Sequence, residues 1–126
     1  MATKVAVIIG SIRKDSFTRK LINAAIGLAP KSLTLEVVEI ADLPLYNQDS
    51  DANSPKAAKD FKAKIAAADA VLFATPEHNR SVPAALKNAI DTASRPYGQS
   101  AWNGKPAAII STSIGALGGF GTNHHL

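Results

Sequence analysis

The chain has 126 residues, of which 46% are hydrophobic and 19% are charged, and it contains no cysteine. This length suits a single domain with its own core, residues 1–126, and the absence of cysteine excludes disulfides, thiolate nucleophiles and cysteine metal sites. No apolar run approaches the roughly 20 residues that cross a bilayer, and no signal-peptide stretch opens the chain, so we expect a cytoplasmic protein without a membrane partner.

The charge favours an anionic small molecule as the ligand. The net charge is +4 and the isoelectric point is about 9.5, values that suit either a phosphorylated ligand or nucleic acid. Much of the basic excess lies in residues 56–64, where an amphipathic helix pattern explains it as a solvated face. We therefore expect no nucleic-acid partner.

The first half of the chain alternates strand and helix patterns. A continuous β-branched run at residues 5–9 predicts a strand that is covered on both faces, as in a parallel sheet. Apolar residues at helical spacing predict a helix from Phe17 to about Gly27. Alternating apolar residues at 33–40 predict a second strand.

A long polar connection, residues 41–53, separates this half from the next helix. A loop of this length is usually a functional or interface element, although a plain surface loop is the alternative. Ser54 and Pro55 then predict a helix start, with serine as the cap and proline in the first turn. The apolar run at residues 70–75 predicts a central strand that ends at Pro76.

The remaining elements complete an α/β pattern. A helix is predicted to open near Ser81 and Pro83 and to end before Arg95. A fourth strand follows at residues 107–111, and a small-residue turn at 112–119 leads into the start of another helix. The order βαβαβαβ predicts a doubly wound parallel sheet with helices on both faces.

The turn after the first strand has the composition of an anion-binding loop. Residues 10–20 read G-S-I-R-K-D-S-F-T-R-K and combine hydroxyls, basic side chains and the N–H groups of a helix start, which suit a phosphate monoester. With Gly10 as the single glycine, neither a P-loop nor a dinucleotide fingerprint fits. The alternative is an ordinary strand-to-helix turn capped by Ser16.

Two further loops are predicted at the same edge of the sheet. Residues 75–83 read T-P-E-H-N-R-S-V-P after the third strand, and residues 111–119 form a glycine-containing loop after the fourth. In an open α/β sheet the ligand lies at the carboxyl ends of the strands, at the point where the strand order reverses; for the order 2-1-3-4-5 that point lies between strands one and three. We therefore expect the loops to hold a phosphate and a flat ring in one crevice. The run at 119–124 only half matches G-x-G-x-x-G and is rejected as a dinucleotide motif.

These motifs resemble the NADPH-dependent FMN reductase family, in particular its chromate, quinone and azo-compound reductases. The resemblance lies in G-S-I-R with Ser16 in the first loop, and in P-E-H-N-R-S-V-P with L-K-N-A-I-D at residues 76–91. It covers nearly the whole chain. It implies a flavodoxin-like fold with strand order 2-1-3-4, bound FMN, NADPH or NADH as donor, and a homodimer or homotetramer with the flavin near the subunit contact.

The resemblance also implies the cofactor-binding residues. The first loop would supply Ser11, Arg13, Ser16 and Thr18 to the FMN phosphate, with Phe17 beside them. The isoalloxazine would be lined by Pro76, Glu77, His78, Asn79, Arg80 and Ser81, with Ser113 and Gly115 on its other side. No catalytic side chain is expected, because the cofactor carries the chemistry.

Three departures from the family pattern stand out. Thr18 replaces a frequent asparagine, and His78 replaces a usual tyrosine. The family also continues through a fifth strand and a final helix, roughly 40 to 60 residues by ordinary element lengths. We therefore expect the usual fifth strand to be missing from the sheet.

The resulting hypothesis is an oxidoreductase that passes electrons from NAD(P)H through FMN to a small-molecule acceptor: a quinone, an azo compound, chromate or free flavin. The alternatives are a flavodoxin-type electron carrier, which a basic isoelectric point disfavours, and an inactive fragment of the reductase. Glu77 is expected to benefit from the N-terminus of the helix that follows rather than to act as an acid or base. His78, His124 and His125 lack partners at ligand spacing, so no metal is expected.

Overall fold

Four strands and four helices alternate in the structure, a computed structural model that describes residues 1–126. The strands are β1 Thr3–Ile9, β2 Leu33–Val37, β3 Ala70–Thr75 and β4 Ala107–Ser111. The helices are α1 Phe17–Leu28, α2 Lys56–Ala66, α3 Ala84–Ser94 and α4 Phe120–His125, and a short 3₁₀ helix spans Gln48–Asn53. None of these helices combines the length and the apolar character that crossing a membrane requires.

The strands form one parallel sheet in the order β2-β1-β3-β4, which confirms the predicted fold. Ile9 at the end of β1 is in register with Ala74 near the end of β3. Because β2 lies on one side of β1 and β3 on the other, the strand order reverses between β1 and β3. The loops that follow these two strands therefore emerge side by side.

The main core lies between the sheet and helices α2 and α3. Its fully or nearly fully buried residues include Ile8, Phe61, Ile65 and Leu86. Trp102 packs its ring edge-on against Phe61, with the ring centres 6.2 Å apart, and its indole N–H donates to the Ile90 carbonyl over 3.0 Å. Burial of these large apolar side chains is the principal contribution to folding.

The opposite face of the sheet is only partly covered by α1. Val7, Ile9, Ile22 and Ala74 form a smaller buried cluster beneath that helix. Beside it lies an open groove of about 610 Å³, lined mainly by leucine, alanine and valine side chains of β1 to β4 and the end of α1. The expected burial of both faces thus holds near α1 and not along the whole sheet.

Some element boundaries differ from the expectations. Strand β2 ends at Val37 rather than near residue 40, although the Val38 N–H still donates to the Val7 carbonyl over 2.9 Å and Val38 and Ile40 are buried in the main core. Ser54 does not cap α2, which begins at Lys56 behind Pro55 and without a side-chain cap. Pro55 itself takes the N-cap position with an extended backbone, φ −54° and ψ 149°, so it lies one residue before the first turn where it was predicted.

The long loop at residues 41–53 is tied to α3 and its C-terminal end. The guanidinium of Arg95 donates to Asp51 Oδ2 over 2.8 Å, and the Tyr46 hydroxyl donates to Asp51 Oδ1 over 3.1 Å. The Tyr46 N–H also donates to Asn88 Oδ1 over 2.8 Å. These contacts order the loop, and its role as an interface or ligand edge stays a prediction.

This cluster predicts a stability loss at alkaline pH. Burial, together with the hydrogen bond to Asp51, raises the pKa of Tyr46 above its ordinary value of 10.0. Because the folded protein then holds the phenol proton more tightly than the unfolded chain, the free energy of unfolding falls as the pH rises from about 10 through the raised pKa. Tyr46→Phe should remove that part of the loss in urea unfolding measured between pH 8 and 11. Tyr97→Phe is the control, because Tyr97 is exposed; equal slopes for all three proteins would contradict the prediction.

Candidate functional site

The first loop of the site begins where β1 packs closest to its neighbours. The Gly10 N–H donates to the Ala74 carbonyl over 2.7 Å, which extends the pairing of β1 with β3. A Cβ at Gly10 would lie 2.7 Å from Thr75 Oγ1 and 3.0 Å from Leu86 Cδ2. Only glycine therefore lets the chain turn at this point without displacing β3 or α3.

Ser16 caps α1 and at the same time faces the site. Its Oγ accepts the Arg19 N–H over 3.2 Å, as the cap hypothesis predicts. Ser16 and Thr18 are almost completely buried, at 3% and 1% exposure, yet both line a cavity. The cap and the anion-site hypotheses therefore describe the same residue and do not exclude each other.

The basic residues of this loop divide into two groups. Arg13 and Lys20 lie over the half-exposed ring of Phe17, at 5.7 Å and 5.4 Å from its centre. Arg19 instead forms a two-pronged ion pair with Glu39, with N–O distances of 2.9 and 2.7 Å, and that hydrogen bonding raises the pKa of Arg19. Of the arginines in this loop, Arg13 is the one that lines the cavity.

This cavity, the main cavity of the site, lies at the carboxyl ends of β1, β3 and β4 and has a volume of about 580 Å³. This is within the range of roughly 300–1,000 Å³ of small-molecule sites in proteins. One wall carries the hydroxyl and guanidinium groups of residues 11–18, and the others come from residues 76–78, the start of α3 and residues 112–114. The predicted convergence of the three loops is therefore present in the fold.

The loop after β3 ends in a tight turn. His78 and Ser81 exchange two backbone hydrogen bonds of 3.1 and 3.0 Å, with Asn79 and Arg80 between them at φ values of 50° and 63°. Left-handed backbone is uncommon for residues other than glycine, and asparagine tolerates it better than arginine. The turn directs residues 79–81 towards a neighbouring cavity of about 540 Å³, which also contacts α4.

The structure thus places the implied cofactor residues in two groups. Nine of them line the main cavity: Ser11, Arg13, Ser16, Phe17, Thr18, Pro76, Glu77, His78 and Ser113. Asn79, Arg80 and Ser81 line the neighbouring cavity, and Gly115 lies beside the main one, where its N–H donates to Ser113 Oγ over 2.9 Å. Contact of all these residues with a cofactor stays a prediction.

Several residues that line the main cavity were not predicted from the sequence. The main cavity is also lined by Gly10, Ile12, Pro83, Ala84, Ala85, Thr112 and Ile114. Ile12 and Ile114 are exposed apolar side chains on two different loops of the cavity. No clear sequence signal marks either isoleucine, because single exposed apolar residues are common on protein surfaces.

Glu77 contacts a different helix from the one expected. Its Oε2 accepts the N–H of Thr122 in the first turn of α4 over 2.9 Å, whereas α3, the helix that directly follows its own loop, has no side-chain cap. The fold requires both glycines of the run at 119–124, which half matches G-x-G-x-x-G. Gly119 has a φ of 84°, and a Cβ at Gly121 would lie 2.4 Å from the Arg80 carbonyl oxygen.

The histidines make contacts within the protein. The rings of His124 and Phe120 stack at 6.0 Å with 10° between their planes, and His125 Nδ1 lies 2.8 Å from Ser81 Oγ. The structure contains no cluster of three or more histidine, cysteine or acidic side chains that could hold a metal ion.

The parallel sheet of order 2-1-3-4, with polar loops converging at its switch point, defines a flavodoxin-like α/β protein with a crevice suited to a phosphorylated planar ligand. The family model described as NADPH-dependent FMN reductase matches residues 3–126. The chain belongs to this family, as its motifs predict.

Individual relatives agree with this assignment. A quinone reductase from Pseudomonas putida is 63% identical over 121 residues, which cover 95% of this chain and 65% of that protein. A 2-hydroxy-1,4-benzoquinone reductase from Burkholderia sp. is 53% identical over 126 residues, 100% of this chain and 69% of that protein. The structure of FerB, a flavoenzyme NAD(P)H:(acceptor) oxidoreductase from Paracoccus denitrificans, matches with a TM-score of 0.93 at 47% identity, over 98% of this chain and 68% of that chain. The chain therefore spans just under two thirds of the Pseudomonas putida relative.

Proposed function

We propose that this chain carries the FMN site of an NAD(P)H-dependent quinone reductase. The observation that carries the proposal is the 580 Å³ cavity at the switch point, which joins a hydroxyl-rich basic wall to two loops that face each other. Family membership and the names of the relatives support the same conclusion.

The cavity walls match the two ends of FMN. Ser11, Arg13, Ser16 and Thr18 would hold the phosphate, because hydroxyls and a guanidinium give charge-assisted hydrogen bonds to its oxygens. Because Gly10 has no Cβ, this loop packs close against β3 and α3. The phosphate wall and the ring walls can therefore belong to one cavity. The ring would lie between residues 76–78 and residues 112–114.

The protein would position the reactants, and bound FMN would supply the hydride and electron transfer between the nicotinamide of NADPH or NADH and the acceptor. Ala84 and Ala85 at the N-terminus of α3 border the cavity. The partial positive charge of that helix end favours negative charge that develops on a nearby ring. Ile12 and Ile114 provide apolar contacts at the cavity wall.

A quinone is the acceptor we propose, ahead of an azo compound, chromate or free flavin. Two relatives that cover at least 95% of this chain carry quinone reductase names, at 63% and 53% identity. A flavodoxin-type carrier is less well supported, because the isoelectric point of about 9.5 does not suit docking on basic redox partners. The homodimer or homotetramer implied by the resemblance belongs to the same proposal, and light scattering coupled to size-exclusion chromatography measures it.

The test is FMN binding followed by NADPH oxidation. The purified protein should quench FMN fluorescence on titration and oxidise NADPH when FMN and 1,4-benzoquinone are present. Arg13→Ala should weaken FMN binding about 10- to 100-fold, since hydrogen bonds to charged groups contribute about 1.5–3 kcal/mol. Lys14→Ala is the matched control, because Lys14 is an exposed cation of the same loop that does not line the cavity. Absence of FMN uptake by the wild-type protein would overturn the proposal, and unchanged affinity in Arg13→Ala would remove Arg13 from the phosphate site.

A further inference from the structure

Helix α4 is fastened to the loop after β3 by three contacts. The carboxylate of Glu77 accepts the Thr122 N–H over 2.9 Å, and His125 Nδ1 lies 2.8 Å from Ser81 Oγ. Between these two bonds, Gly121 packs so closely on the Arg80 carbonyl that any side chain would collide with it. The two polar contacts join residues that are 44 and 45 positions apart in sequence.

The same helix is fastened to the end of β4 and the loop after it. The Asn123 side-chain amide donates to Ser111 Oγ and, over 3.1 Å, to the Gly119 carbonyl. Ser111 Oγ in turn donates to the Gly118 carbonyl over 2.8 Å. Helix α4 therefore bridges residues 76–81 and residues 111–119, and both segments contribute to the lining of the main cavity, through residues 76–78 and 112–114.

Glu77 is the member of this bridge that also reaches the cavity. It lines both the main cavity and the neighbouring one, so it stands in the wall between them. The first N–H groups of a helix lack partners within the helix, and a carboxylate near them is favoured by the helix dipole. With Oε2 bonded to the Thr122 N–H, the side chain is held towards α4.

We propose that Glu77 is a positioning residue, which acts through α4 to hold residues 76–81 and residues 111–119 at a fixed separation. The relevance of that separation to a flavin ring rests on the proposed function. The coupling of the two loops is a property of this chain alone and exists without a ligand. Glu77 accordingly contributes through the Thr122 hydrogen bond and not as an acid or base.

Three substitutions of Glu77 test the length of the side chain, its hydrogen bond and its charge separately. Glu77→Gln keeps the length and an oxygen that accepts from Thr122, whereas Glu77→Asp keeps the charge and shortens the side chain by one methylene. Glu77→Ala removes both the reach and the acceptor. Glu36→Ala is the control, because Glu36 is an exposed acid on β2 that does not line the main cavity.

Hydrogen exchange of the ligand-free protein tests the coupling directly. In Glu77→Ala and Glu77→Asp, amide protection should fall about three- to tenfold together in residues 76–81 and 112–122, the size expected for one hydrogen bond. Glu77→Gln and Glu36→Ala should keep the wild-type pattern. Because α4 buries only Thr122 completely, the melting temperature should change little in any variant.

The outcomes separate this inference from the proposed function. Unchanged protection in a folded Glu77→Ala would overturn the coupling, and so would a loss confined to one of the two segments. Glu77→Gln behaving like Glu77→Ala would overturn the hydrogen-bond role. With FMN added, Glu77→Ala should weaken the visible circular dichroism of the bound ring, and Glu77→Gln should restore it. If the wild-type protein takes up no FMN, the proposed function fails, while the exchange experiment still decides the coupling.

Discussion

Gly10→Val is expected to lower the free energy of unfolding by about 3 kcal/mol and to abolish high-affinity FMN binding. The Cβ of the valine would lie 2.7 Å from Thr75 Oγ1. Thr75 is fully buried, and its hydroxyl donates to the Pro76 carbonyl. The second contact, 3.0 Å from Leu86 Cδ2, involves another fully buried side chain. Neither neighbour is free to rotate away, so β1, β3 or α3 must shift, and each of them supports a wall of the cavity.

The measurement is urea unfolding followed by the fluorescence of Trp102, the single tryptophan, which packs in the main core. Gly27→Ala is the matched control. Gly27 lies in α1 with no atom within 4 Å of an added Cβ, so alanine should raise stability by about 0.5–1 kcal/mol. Equal stability of the wild-type protein and Gly10→Val would show that the close packing at the end of β1 is not required.

The elements that periodicity predicts correctly are those whose environment is uniform along their length. The runs at residues 5–9 and 70–75 became β1 and β3, since both strands are flanked by other strands in the sheet. The alternation of strands and helices predicts a parallel sheet, and the strand order 2-1-3-4, which the family resemblance implies, is confirmed. The phosphate loop and the ring loop could be placed at one crevice because the carboxyl ends of parallel strands share an edge.

What the sequence did not reveal depends on contacts between distant loops. The turn at Asn79 and Arg80 directs residues 79–81 away from the main cavity. No local sequence pattern predicts two successive residues with left-handed backbone. The bond from Glu77 to Thr122 spans 45 residues, so neither partner's neighbours in sequence indicate it.

Gly121→Ala is expected to disorder the part of the main cavity that is proposed to hold the flavin ring, while it leaves most of the fold intact. The added Cβ would lie 2.4 Å from the Arg80 carbonyl oxygen and 2.8 Å from Glu77 Oε2. Because the nearer atom belongs to the backbone, α4 and residues 76–81 must separate by something on the order of an ångström, which lengthens the Glu77–Thr122 hydrogen bond beyond its useful range. We expect FMN affinity to fall about tenfold, the equivalent of roughly 1.4 kcal/mol.

The sign of the stability change makes Gly121→Ala informative. Helix propensity alone predicts that alanine inside a helix stabilises by about 0.8–1 kcal/mol relative to glycine, whereas the collision predicts a loss. Gly27→Ala is again the matched control, because Gly27 also lies in a helix, lines neither cavity and has no atom within 4 Å of an added Cβ. Hydrogen exchange of residues 76–81 and 112–122, with FMN titration of both variants, checks the prediction. A Gly121→Ala protein that is more stable than the wild type and binds FMN equally well would mean that α4 does not need its close contact with the Arg80 carbonyl, and the coupling assigned to Glu77 would lose its structural basis.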